Sequence, residues 1–183
     1  MKHLIKILAA LFLLSNFTFG QDYDYSNEPG YLDFGSFDQF DESEQVTEVV
    51  IEENLLRMGS KLASREDPEL KELLSGLKLI RVHTFGLTEA DGKPLANRIE
   101  KLNKNLMDKK WDRIVRTKDR GEIANIYIKT EADDNIVGLV VMSLDPNGEA
   151  AFVNIVGKIN LETIGRLSDK FDIPSLDSVH GTR

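Results

Sequence analysis

Ile123–Lys158 decides the fold: IANIYIK (123–129), a polar break TEADDN (130–135), IVGLVVMSL (136–144), the turn DPNG (145–148) and EAAFVNIVGK (149–158). Three runs rich in β-branched residues, separated by turn residues, predict an antiparallel meander. Ile136–Leu144 is the most apolar run and barely alternates, which predicts a central strand buried on both faces.

Working backwards, Trp111–Thr117 reads as a strand that enters the meander through Lys118-Asp-Arg-Gly121. Before it, Pro94 opens the longest helix, running to about Lys109. Its buried stripe is Leu95, Ile99, Leu102 and Leu106. Leu79–Phe85 alternates as a strand. Asp67 caps a helix with Pro68 in its first turn, Leu70, Leu73, Leu74 and Leu77 at helical spacing, and Gly76 as its stop. Val46–Ile51 is a short strand, and Glu52–Arg65 a helix whose apolar side is Leu55, Leu56, Met58 and Leu62. After the meander, Asn160 caps a last helix with Leu161, Ile164 and Leu167 inward. The order β-α-α-β-α-β-β-β-β-α predicts an α+β fold: a mainly antiparallel sheet with helices packed on one face.

Met1–Gly20 reads as a secretory signal peptide, with Lys2 and Lys6, an apolar core Ile7–Leu14, and small residues before a cleavage point at Gln21. The expected product is an acidic aromatic arm (21–44), one domain (45–176) and a flexible tail (177–183). The chain holds no cysteine, so neither disulfides nor a lipid-bearing cysteine are expected. The expected location is therefore periplasmic or secreted, with no membrane insertion after cleavage. Net charge is −8, or about −10 once the two leader lysines are gone. Such a balance argues against nucleic-acid partners.

The arm has no Lys, Arg or His from Gln21 to Asn54. Tyr31, Phe34, Phe37 and Phe40 recur every three residues, which places them on one side of a polyproline or 3₁₀-like path. The arm then reads as a disordered leader (Gln21–Pro29) followed by a segment that lays its aromatics over the edge of the core, as an acidic-aromatic segment that docks a basic partner, or as a calcium site, for which the acids lack the loop spacing.

Chemistry is sparse. His83 and His180 are the histidines beyond the leader, too few for a zinc site without cysteine. Ser75-Gly-Leu-Lys78 fits S-x-x-K by spacing alone, and no glycine-rich phosphate loop or nucleophile elbow is present. The loops at Leu87–Arg98 and Ser143–Asn154 lack the carboxylate at the twelfth position that calcium demands. No catalytic residue, metal or cofactor is expected. One constellation remains. If Ile80 and Val82, with Ala124, Ile126 and Ile128, face the helices, then Arg81, His83, Asn125, Tyr127 and Asn154 share an open face, either a binding surface or cross-strand pairing in water. With Tyr31, Phe34 and Phe37 of the arm, these are the candidate site residues.

GYLDFGSF (30–37), DPELKELLSGLKLIRVHTF (67–85), KKWDRIVR (109–116), IVGLVVM (136–142) and FVNIVGKI (152–159) together resemble an uncharacterised family of exported bacterial proteins, domain of unknown function 4252. The resemblance covers about Gly30–Leu176. It implies a Gram-negative source, an envelope location and one α+β domain, and it brings no activity or catalytic residues. Some members look lipid-anchored; this chain has no cysteine, so anchoring is not expected to carry over. The expected function is a non-catalytic interaction or regulatory module of the cell envelope, binding another envelope protein or a peptide. The alternatives are a small-ligand-binding periplasmic domain and a carboxylate-based hydrolase.

Overall fold

The computed structural model describes residues 23–37, 46–63, 67–88, 91–132, 135–146 and 148–160. The expected signal peptide, the last helix (Leu161, Ile164, Leu167) and the tail lie outside them. Residues Tyr25–Ile159 form one compact unit.

The elements follow the expected order. They are β1 (Val46–Glu52), α1 (Glu53–Ala63), α2 (Pro68–Gly76), β2 (Leu77–Gly86), α3 (Gly92–Asp108), β3 (Asp112–Asp119), β4 (Glu122–Thr130), β5 (Ile136–Leu144) and β6 (Glu149–Ile159). A 3₁₀ turn at Tyr25–Asn27 precedes them. The strands make one six-stranded sheet in the order β1-β2-β6-β5-β4-β3, every neighbour antiparallel. The protein is thus α+β, and the meander is β4-β5-β6.

Local chemistry explains the joints. Asp67 Oδ1 accepts from Leu70 N at 3.1 Å and starts α2. The β3–β4 hairpin turns on Arg120 (φ 45°) and Gly121 (φ 97°). Two positive φ values match the right-handed strand twist, and glycine takes one of them without strain. Asp145 and Gly148 close the β5–β6 turn through Gly148 N to Asp145 O at 3.0 Å.

The core lies on one face of the sheet. Leu95, Ile99, Leu102 and Leu106 of α3 pack there against Tyr127, Val140, Met142, Leu144, Phe152 and Phe85. The arm shares that face: Leu32, Phe34 and Phe37 belong to the same cluster. It is therefore part of the core from Tyr25 onward rather than a leader over its edge.

Two expectations are corrected. The strand β5 is central, but only Gly138, Val140, Met142 and Leu144 are buried; the alternate residues are half-buried. The second face of the sheet is a half-buried aliphatic surface: Val49 and Ile51, Ile80 and Val82, Val153 and Ile155, Leu139 and Val141. Helix α1 buries Leu56 and Ser60, while Leu55, Met58 and Leu62 are exposed. Its apolar side is present but turned outward, because α1 packs mainly on α2 through a narrow strip around Leu56, Gly59 and Ser60.

Candidate functional site

Six of the eight candidate residues meet where the arm crosses the sheet, and Asn125 and Tyr127 lie on the same side of the sheet beneath α3. In β2 the alternation runs opposite to expectation: Leu77, Leu79, His83 and Phe85 are buried, while Ile80 and Val82 line the half-buried face. Arg81 and His83 therefore point into the layer occupied by the arm. The same inversion holds in β4, where Asn125 and Tyr127 are buried on the core side, across from Met142 and Val140. The physical reason is that both faces carry enough aliphatic residues to be buried, so alternation alone does not say which face is covered.

Asn154 is the joint. It is fully buried in β6. Its amide nitrogen donates to Gly30 O at 2.9 Å and to Leu139 O at 3.2 Å, and its amide oxygen accepts from Leu32 N at 2.9 Å. One side chain thus satisfies two backbone groups of the arm, as a neighbouring strand would. The arm comes close enough because Gly30 crosses over Gly138. A Cβ on Gly30 would sit 1.9 Å from the Val137 carbonyl oxygen, and one on Gly138 would sit 2.5 Å from Gly30 Cα and 2.6 Å from the Trp111 ring.

The remaining candidates line up along the same path. Arg81 donates to Tyr31 Oη at 2.8 Å and lies over its ring at 5.7 Å. Phe34 meets Phe152 edge-on at 5.6 Å. Phe37 stacks at 5.0 Å on His83, Phe85 and Phe152. Its outer side is closed by Arg98 of α3, 4.7 Å above the ring, whose pKa burial pulls below the usual guanidinium value. Tyr127 donates to Asn103 Oδ1 at 3.0 Å and accepts from Arg113 at 3.4 Å. The expected three-residue period does not describe the arm. Leu32 and Phe34 go inward at a two-residue, extended spacing, and Gly35 (φ 74°) then redirects the chain to Phe37. Leu32, fully buried, and Arg98 escaped the sequence reading. The in–out alternation of YLDF was the available signal for the first; none marked the second.

The described residues also line a cleft and a smaller cavity. A cleft of about 400 Å³ lies where the 3₁₀ turn, the end of α2 and the ends of β5 and β6 meet, lined by Glu28, Glu53, Lys78, Glu131, Val137 and Lys158. Lys78 Nζ donates to both Glu28 oxygens, at 2.8 and 2.7 Å, and so ties the turn to β2 at one wall. A smaller cavity of about 40 Å³ sits between α3 and the β3–β4 hairpin beside Asn125, whose buried Oδ1 has no hydrogen-bond partner. That volume is room for a few waters, one of which would satisfy the amide. Among the described residues, no three His, Asp or Glu side chains are grouped so as to hold a metal ion. No described helix is long and apolar enough to cross a membrane.

With the arm and its sheet face spent on each other, the available apolar surface lies elsewhere. Eight large apolar side chains stand exposed among the described residues, and five of them are Val46, Val50, Leu55, Met58 and Leu62. They form one run along edge strand β1 and the helix that follows it. On α1 they recur at 55, 58 and 62, a single stripe at helical spacing.

Comparison with curated proteins and with solved structures gave no match. Comparison with family models matched one, described as a domain of unknown function (DUF4252), over residues 40–167. The matched range holds the sheet side of the joint, Arg81, Phe152 and Asn154, and starts after the arm residues Gly30–Phe37 that they hold. The chain belongs to the DUF4252 family.

Proposed function

We propose that this protein is a non-catalytic interaction module of the bacterial cell envelope, exported by its N-terminal leader, which binds a protein partner along β1 and α1. One observation carries the reading: most of the exposed large apolar side chains fall within Val46–Leu62 instead of being scattered. Single exposed apolar residues are ordinary, but five within one strand–helix segment, beside an edge that no described strand pairs, suit strand addition and helix docking. The arm contributes by covering the core side of β2 and β6 next to that edge.

The test is site-specific photo-crosslinking in the cell envelope. A photoreactive residue at Val50 or Leu62 is expected to capture a discrete partner, while one at exposed Lys101 on α3 captures none. Leu55→Glu with Leu62→Glu is expected to abolish capture from Val50 with little loss of stability, since both side chains already meet water. Equal capture at all three positions, or capture unchanged by the glutamates, would refute the surface. Mass spectrometry of the exported protein is expected to find Gln21 at its N-terminus.

A second reading rests on the cleft beside Lys78, whose volume falls in the range of small-molecule sites, about 300–1,000 Å³. A thermal-shift screen with small dicarboxylates and amino acids tests it; no rise in midpoint would discard it.

A further inference from the structure

The two outer strands of the sheet differ in a way that makes them fit one another. Among the described residues neither β1 nor β3 has a strand on its outer side. Exposed edges are normally blunted by lysine, proline or a bulge. β1 has none of these: VTEVVIE pairs with β2 without interruption from Val46↔Phe85 to Glu52↔Leu79. Val46 and Val50 are 41% and 44% exposed on it. Its only charges are Glu48 and Glu52.

β3 is the opposite. It carries exposed Arg113, Arg116 and Lys118 between an acid at each end, Asp112 and Asp119, and its irregularity is confined to Arg113–Val115, which leaves Val115–Asp119 regular. Basic residues repel a like-charged edge, lose hydration against an apolar one and attract an acidic one. Two further exposed apolar side chains, Met107 and Ile114, stand at the end of α3 and in β3. Together with the five on β1 and α1, they account for seven of the eight exposed large apolar side chains.

We infer that the partner of β1 is β3 of a second copy of this chain, so that copies add head to tail and continue the sheet. The inference rests on the reading of β1 as the binding edge and names its occupant. The topology permits the pairing. Six strands, every neighbour antiparallel, leave β3 antiparallel to β1, so a copy shifted along the sheet presents its β1 in the correct direction. The faces also agree. Glu48 and Val50 lie opposite His83 and Arg81, on the core side, and Arg116 and Lys118 lie opposite Asn125 and Ile123, on the same side. A register with Glu48 opposite Lys118 sets Arg116 opposite Val50 and diagonal to both glutamates, within reach of cross-strand attraction. Pairing β1 with β1 of another copy would instead bring the glutamates together. Because the two edges are different surfaces, the contact is heterologous and does not close on a dimer; sheet twist gives each added copy a fixed rotation.

Sedimentation of the exported protein from about 10 µM to 1 mM tests this. The weight-average mass is expected to rise past that of a dimer and to fall back as salt screens the charges. Glu48→Lys with Glu52→Lys, and separately Arg116→Glu with Lys118→Glu, are each expected to weaken association at least about tenfold. An equimolar mixture of the two variants restores complementary edges and is expected to recover association. These side chains are exposed in β3 and at Glu48, and circular-dichroism melts confirm that each variant is folded. A wild type that stays monomeric at 1 mM overturns the self-association while leaving the β1 surface to be judged by cross-linking. A mass that stops at the dimer, or reversals without effect, or a mixture that fails to recover, overturns the β1–β3 pairing.

Discussion

Asn154→Ala strikes the joint between arm and sheet, and its cost can be worked from the structure. The amide serves Leu32 N and Gly30 O, both at 2.9 Å, from a fully buried position. Removing it leaves one backbone donor and one acceptor short of a partner. Each buried unsatisfied group costs about 1–3 kcal/mol. A water entering the vacated space would recover part of one. We expect a loss of about 3 kcal/mol, a large share of the roughly 5–15 kcal/mol that holds a domain folded. Trp111 is the sole tryptophan, buried where Gly138 meets Gly30, so its fluorescence reports on this region. In urea, with a slope of about 1–3 kcal/mol per molar, the midpoint should fall by about 1–3 M. Hydrogen exchange at the Leu32 amide should quicken more than at Val140 in the sheet, because the arm loosens first. Asn154→Asp gives a second handle. It keeps the acceptor for Leu32, loses the donor to Gly30 and buries a carboxylate, whose folded pKa is raised. Raised in the folded state, it makes the variant gain stability as pH falls through that pKa, when the protonated acid can donate again. A midpoint shift below about 0.3 M for Asn154→Ala, with Leu32 exchange unchanged, would refute the clamp.

The crossing of the two glycines gives a second expectation. Gly30→Ala and Gly138→Ala each force a Cβ into backbone and should each cost more than about 2 kcal/mol, with the double variant less than additive because both act on one contact; equilibrium unfolding measures this. Tyr31→Phe removes the Arg81 hydrogen bond but keeps the ring under the guanidinium, so a loss of only about 1 kcal/mol is expected by the same assay, against more for Arg81→Ala. Asp91 accepts from the Thr88 hydroxyl and amide at 2.5 and 2.8 Å, which lowers its pKa below the model-compound value of 3.8. Its contribution is therefore present above that value and lost as pH falls below it. Asp91→Asn should narrow its gap to wild type in acid melts below pH 3.8, and a gap that widens there would contradict the assignment.

Much of the fold is legible in the chain. Turn chemistry at Asp119–Glu122 and Asp145–Gly148, the Asp67-Pro68 helix start and the Leu95/Ile99/Leu102/Leu106 stripe each act over a few residues, and local signals suffice to place them. Alternation does place Arg81, His83, Asn125, Tyr127 and Asn154 on one side of the sheet, but that side is covered and not open. What local pattern could not supply is which face is closed. In β2 and β4 both alternations are apolar enough to be buried, and the choice is made by α3 and by an arm more than a hundred residues away from Asn154 in sequence. Likewise Leu55, Met58 and Leu62 announce an amphipathic helix, but their exposure follows from where α1 packs. Neighbours along the chain suffice for the elements and their order, because helix stripes, caps and turns each act over a few residues. The fold settles what local pattern leaves open: the arm covers the polar side of the sheet while apolar side chains of β1 and α1 stay exposed, because covering a surface depends on groups that meet in space.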